Sequence, residues 1–348
     1  MISAPDLEAP RSRLADWLEI CAVFSPHGAG QATISGLYRK SGDEDHFFEP
    51  DEDGEILDVE IVNRDLEDIS DRIAEEIGTR ATTLGDDYPF VVSHRPFHLK
   101  LKREFNDLSS PSCVYLFLLM MSGAGDKVFV HPAEIDSLVR KGRTLFHACA
   151  SVGVAGLLRS AETVWFGFPR NDRSGFLQAL QNLCERIGCG KAKERIPPGF
   201  PEKPKDDEID IVGWRAYRGR RSGNLIVLCQ AATGLNWTDK SILTQIDVFK
   251  EWFDVKPYAK ATGAIAIPFP AYHEICECPE DGFDVAMHNG IDRAQSRLGV
   301  LIDRLRIVEA VQSINGEEAQ SANIDGIEKL PELKQWVSDA IAAIKNAA

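Results

Sequence analysis

Apolar positions along residues 9–24 gather on one helical face, with Leu14, Trp17, Leu18 and Cys21 together, and predict a first helix. Ile69, Ile73 and Ile77 recur at four-residue spacing and place a helix over 63–78. Asp86 to Val92 carries a Tyr-Pro-Phe turn into a short extended piece, and residues 112–121 and 143–158 are apolar enough for core helices. Residues 41–58, acidic and punctuated by Gly and Pro, read as a surface loop. The N-terminal half is therefore expected to be helix-rich.

A second block opens near Ala161. Val164-Trp-Phe-Gly-Phe168 is short and aromatic. Residues 174–187 form an amphipathic helix with Phe176, Leu177, Leu180, Leu183 and Cys184 as its apolar stripe, closed by Gly188 and Gly190. A Lys/Pro-rich loop over 191–206 leads into two strands, Lys205–Trp214 and Leu225–Gly234, joined by a polar turn. A helix from about Trp237 to Phe253 follows, then a strand over 262–267 closed by Pro268 and Pro270. Segment 271–290 is irregular, 298–311 reads as helix or strand, and 334–345 reads as helix. The order points to an α/β fold. It is divided into a helix-rich domain, 1–160, and a domain built on a mixed sheet flanked by helices, 161–348.

Charge changes the picture. The chain carries a net charge of −15, which argues against binding nucleic acid over its whole surface, because phosphate contacts demand cations. The basic residues are concentrated, however. Arg215, Arg218, Arg220 and Arg221 crowd the turn between the paired strands, and ten acids sit apart in 43–60. The apolar run 114–121 is too short to span a bilayer. No secretory leader is evident and the eight cysteines follow no framework spacing, so reduced thiols and a cytoplasmic location are expected. His273, Cys276 and Cys278 fall one ligand short of a structural zinc site. Ser122–Asp126 lacks the Gly-Lys-Ser/Thr of a phosphate loop and reads as a turn. Asp303, Arg304 and Arg306, inside an apolar segment, suggest a buried ion pair.

The chemistry lies in the paired strands. Folding at the polar turn sets residues whose numbers sum to about 441 opposite each other, so Asp210 faces Gln230 or Ala231, with side chains roughly 5 Å apart at Cβ. A carboxylate and an amide oxygen at that distance could share one Mg²⁺ or Mn²⁺ ion. Lys240, in the expected first turn of the next helix, could orient a water or neutralise an attacked phosphate. Glu185, near the edge of the buried face of its helix, could add a second carboxylate. Asp207 and Glu208 read as loop acids, one of which could compete with Asp210 as ligand.

Phe176–Gly188, Asp207-Glu-Ile-Asp-Ile211 and Val227-Leu-Cys-Gln-Ala-Ala232 together resemble the PD-(D/E)XK nuclease superfamily, the restriction-endonuclease-like fold, and within it the Mrr-like branch. The resemblance covers residues 174–270. The family's lysine would stand at 232, where this chain has alanine, and Lys240 is the candidate to replace it. The resemblance implies metal-dependent hydrolysis of phosphodiester bonds in DNA. Asp210 would be the main metal ligand, Gln230 and Glu185 secondary ones, and Lys240 the positioning cation. By analogy with such nucleases it implies a role in restriction or anti-phage defence beside protein partners such as a helicase or ATPase. The competing expectation is a non-catalytic scaffold subunit on a degenerate nuclease fold, motivated by Ala232 and the acidic charge.

Overall fold

The computed structural model describes residues 2–6, 9–41, 57–102, 105–125, 127–129, 133–159, 161–215, 224–258, 260–271, 293–314 and 323–346. The N-terminal half holds five helices, α1 (Arg11–Phe24), α2 (Gln31–Ser41), α3 (Leu57–Leu84), α4 (Ser110–Gly125) and α5 (Ala133–Leu157). A small sheet accompanies them, β1 (Ala29–Gly30), β3 (Phe97–Leu101) and β2 (Phe90–His94), in that spatial order. The helices predicted over 63–78, 112–121 and 143–158 are all present and longer than their apolar cores suggested. The segment Ser122–Gly125 is the last turn of α4 and not a separate loop. The strand over 97–101 was not foreseen. Only Phe97 and Leu99 point inward there, too short an alternation to stand out from sequence.

The second half builds a five-stranded mixed sheet. Its strands are β4 (Glu162–Trp165), β6 (Ile211–Arg215), β7 (Leu225–Ala231), β9 (Thr262–Ala266) and β10 (Val300–Ile302), in the order β10-β9-β7-β6-β4. β7, β9 and β10 run parallel, and β6 runs antiparallel to both of its neighbours. Short β5 (Lys191–Ala192) pairs with β8 (Phe253–Val255) beside it. Two apolar faces fix the layering. Ile211, Val227, Cys229, Ala264 and Ala266 join a core with α5 and α8 (Arg304–Ile314). Val212, Trp214, Ile226 and Leu228 join another with α6 (Phe176–Ile187) and α7 (Ile242–Phe249). The last helix, α9 (Leu330–Asn346), packs on α4 and α5. The fold is mixed α/β as the pattern indicated, with helices on both faces of the sheet. The boundary expected near residue 160 falls at the α5–β4 turn, and one core runs across it.

Two segments differ from their prediction for physical reasons. The helix expected over 237–253 breaks into a 3-10 stretch Leu235–Asp239, α7, a second 3-10 stretch Lys250–Trp252 and β8. On one continuous helix, Trp237 would point roughly 150° away from Ile242, Ile246 and Phe249. All four are buried, in two different clusters, so the chain bends to bury both sets. The ambiguous 298–311 is strand and helix in succession. Asp303 separates them, its Oδ1 accepting the Arg306 amide at 3.1 Å as an N-cap.

The ion pair expected within Asp303–Arg306 is instead a long-range one. Arg304 grips Asp16 of α1 with both Nη atoms, at 2.7 and 2.6 Å. Arg80 of α3 reaches the same Asp16 at 2.7 Å, Glu19 at 2.9 Å and Glu76 at 2.8 Å. Tyr88, Tyr115 and Ser122 donate hydroxyl hydrogens to Glu19 and Asp16. This buried network fastens the N-terminal helices to the helix that follows β10. No helix among the described residues is long and apolar enough to cross a membrane.

Candidate functional site

The site forms where β6 begins, beside the end of β7. The approach is a tight acidic turn with Asp207 and Glu208 both at positive φ, 51° and 60°. Asp206 holds that turn: its Oδ1 accepts the Glu208 amide, its carbonyl accepts Ile209 N, and its Oδ2 accepts Phe168 N. The Asp207 carboxylate accepts Trp252 Nε1 at 2.8 Å, and burial pushes its pKa up against that hydrogen bond. The turn delivers Asp210 to the sheet, where its carbonyl accepts both Phe166 N and Gly167 N.

The Asp210 carboxylate is held from two sides. Oδ2 accepts Ala231 N at 2.8 Å, and Oδ1 lies 3.2 Å from Nε2 of His147 on α5. The His147 ring stacks on Trp165, 5.2 Å between centroids and 4° from parallel. Its Nδ1 lies 3.2 Å from the Arg143 carbonyl. With an acceptor at each nitrogen the imidazolium form is favoured, since only that form donates twice. Burial opposes the charge, but the hydrogen bond and negative charge of Asp210 outweigh it and raise the His147 pKa above 6.5. Gly167 makes the pair sterically possible. A Cβ there would stand 2.5 Å from Asp210 Oδ1 and 3.0 Å from the imidazole.

The register matches the expected geometry within one residue. Ile211 pairs with Cys229, so Asp210 falls opposite Gln230. The side chains nevertheless diverge. Gln230 shares the parity of Ile226 and Leu228 and stands on the α6–α7 face, 1% exposed. Its Nε2 donates to Glu208 Oε2 at 3.0 Å, and its Oε1 is buried without a partner. Asp210 turns the other way, onto α5. The cause is the acidic turn, whose left-handed residues interrupt strand alternation just before Asp210. Among the described residues no hydrogen bond joins Asp210 to Gln230.

The remaining predicted residues stand apart. Lys240 is not in a helical first turn; it caps the 3-10 stretch 235–239, half-buried, ahead of Ser241. It makes no hydrogen bond or ion pair to Asp210 among the described residues. Glu185 is exposed on α6, whose buried face is Phe176, Ala179, Leu180, Leu183, Cys184 and Ile187, and it does not join the site. Arg215 is exposed and donates to the Leu158 carbonyl. Arg218, Arg220 and Arg221, residues 43–56 of the acidic run over 43–60 and the His273–Cys278 cluster lie outside the described residues, whereas residues 57–60 of that run open α3 and are not loop. The described cysteines are free thiols.

Sequence reasoning missed His147. It lies 63 residues from Asp210 on a helix read as core, and no spacing signal links the two. For a hard cation the available oxygens are those of Asp210, Glu208 and Gln230 Oε1. A carboxylate oxygen that accepts one hydrogen bond keeps a lone pair for a metal, and an orphan amide oxygen suits one too. Among the described residues no three His, Cys, Asp or Glu side chains are arranged to hold a metal by themselves. Waters or substrate oxygens must therefore complete any coordination shell. No protein-family model matches this sequence, and no curated protein or solved structure matches it.

Proposed function

We propose that this chain hydrolyses phosphodiester bonds in DNA with the help of Mg²⁺ or Mn²⁺, at a site centred on Asp210. The observation that carries the reading is the Asp210–His147 pair, partly open to solvent, at the junction of β6 and β7. The five-stranded mixed sheet with helices on both faces supports it, being the fold the resemblance implies.

Each residue has a distinct task under this reading. Asp210 supplies the oxygen ligand on the α5 side, and Glu208 and the Gln230 amide oxygen, which turn to the α6–α7 side, would reach the same ion only through bridging waters. A bound divalent ion would supply an activated water and charge stabilisation at phosphorus. His147, with its pKa raised and both ring nitrogens engaged by Asp210 and the Arg143 carbonyl, contributes positive charge that stabilises the phosphoryl oxygens rather than a proton to the departing oxygen. Asp210 keeps that ring oriented, and Trp165 fixes its plane. Lys240 lies on the segment leading from β7 into α7 and serves as a phosphate-contacting cation. Arg215 would contact the DNA backbone. Protein partners of the helicase or ATPase type would deliver the DNA, which compensates for a chain of net charge −15.

A second reading is favoured by specific observations. Ala232 stands buried where the family lysine would be, and Asp210 and Gln230 face opposite ways. A non-catalytic scaffold that uses this fold to hold partners would show both features. Supercoiled-plasmid nicking separates the readings. With Mg²⁺ or Mn²⁺ the wild-type protein should relax and linearise plasmid, chelator should stop it, and His147→Gln should slow it about 10²-fold or more. Metal titrations without any cleavage, alone and with partner proteins, would instead establish the scaffold.

A further inference from the structure

The edge of the sheet beyond β4 carries a second site. A cavity of about 310 Å³ opens between α6, β4 and the segment 323–328, and it shares Trp165 with the Asp210 site. Its walls are unusual in their hydrogen-bond balance. Arg170 is 7% exposed, and the nearby carboxylates of Asp206 and Asp172 act on it without forming an ion pair among the described residues. Its guanidinium lies over Phe166 and Phe176, with the carbon 4.9 and 5.7 Å from the ring centroids. It donates only to the carbonyls of Ser174 and Lys205. Its Nε has no partner, and neither have Trp165 Nε1, Ser174 Oγ and Arg186 Nε. Buried donors without acceptors are rare.

The acceptors of the same wall are already engaged. Asp325 takes Arg186 Nη1 at 2.8 Å and the Trp165 amide at 3.1 Å. Asp172 takes the Ser174 amide and Asn182, and Glu328 takes Asn171. The surplus is therefore of donors.

We propose that this cavity binds a phosphoryl group, with Arg170 as the cation, Ser174 as a donor, and Arg186 and Trp165 at the rim. A tetrahedral oxyanion brings the acceptor oxygens that four donors lack and a direct partner for the Arg170 guanidinium. Free inorganic phosphate and the phosphorylated end of a nucleic-acid strand share that chemistry. The proposal does not depend on cleavage at Asp210.

The test uses the full chain. Inorganic phosphate is titrated by calorimetry and by thermal shift, and 5′-phosphorylated and 5′-hydroxyl octanucleotides are compared by anisotropy. Arg170→Gln should weaken phosphoryl binding about tenfold or more, the loss expected for one charge-assisted hydrogen-bond donor. Ser174→Ala, at a half-buried turn, should weaken it severalfold while leaving melting in buffer unchanged. This second variant keeps the test valid if Arg170→Gln folds poorly. Phosphate alone raising the melting temperature supports a free-anion site. Preference for the 5′-phosphate strand with little response to phosphate supports a strand-end site. No binding of either probe, or binding that both variants leave intact, overturns the proposal.

Discussion

Two buried polar regions of this protein differ in one respect, and the difference separates structure from function. The network of Asp16, Glu19, Glu76, Arg80 and Arg304 is saturated: each charge meets an opposite charge, and Tyr88, Tyr115 and Ser122 fill further valences. The region around Asp210 is not saturated. Gln230 Oε1 lacks a donor, and in the neighbouring cavity Arg170 Nε, Ser174, Trp165 and Arg186 each keep an unused donor. The first arrangement locks helices together. The second leaves valences for something that is not part of the chain. Burial of charge alone therefore does not identify a site; incomplete pairing does.

The largest effect should come from breaking the saturated region. Asp16→Ala strands the buried Arg304 guanidinium, while Arg80 keeps Glu19 and Glu76, and should lower unfolding free energy by about 3–5 kcal/mol in urea titration. A loss below about 1 kcal/mol, the scale of an exposed pair, would mean the network is not intact in solution. Next in size is Gly167→Ala. Its methyl group must push aside Asp210 Oδ1, at 2.5 Å, or the His147 ring, so a loss of about 1–3 kcal/mol is expected. The His147 resonances should shift in the same NMR sample, and unmoved resonances would show that the pair is not packed as described.

In the unsaturated region the sign should invert. Gln230→Leu removes an orphaned buried oxygen, and its lost partner Glu208 is exposed to water. Stability should rise by about 1 kcal/mol in thermal melting, at the expense of any activity that uses the amide oxygen. A clear destabilisation would show that Oε1 is paired after all. The smallest effect concerns pH. The His147 pKa is raised in the folded state, so its stabilising contribution is complete below the unfolded value near 6.5. That contribution fades as pH rises through the folded value. The stability gap between wild type and His147→Gln should therefore narrow as pH rises above about 6.5. A gap that widens with pH contradicts the assignment.

How much was legible in the sequence follows from the range of each interaction. Helices α1, α3 and α6 announced themselves by four-residue apolar spacing, and the Gly188 stop is a left-handed C-cap, as its position suggested. The β6–β7 hairpin and its register were legible because pairing across a turn is local. The direction of Asp210 was not, since it depends on two left-handed residues, Asp207 and Glu208, where glycine would be the usual signal. His147 was hidden for another reason. Its partner lies 63 residues away and meets it only because α5 packs across the sheet. Lys240 and Glu185 were placed by helix spacing alone; the bend at Trp237 puts Lys240 outside a helical first turn, and Glu185 stands on the exposed face of α6.

The most direct measurement compares wild type with Asp210→Asn for both metal-dependent DNA cleavage and unfolding free energy. The expected result is a loss of cleavage of about a hundredfold or more with folding preserved. Asp210→Asn that cleaves at the wild-type rate, while fully folded, would contradict the assignment of Asp210 as the centre of the site.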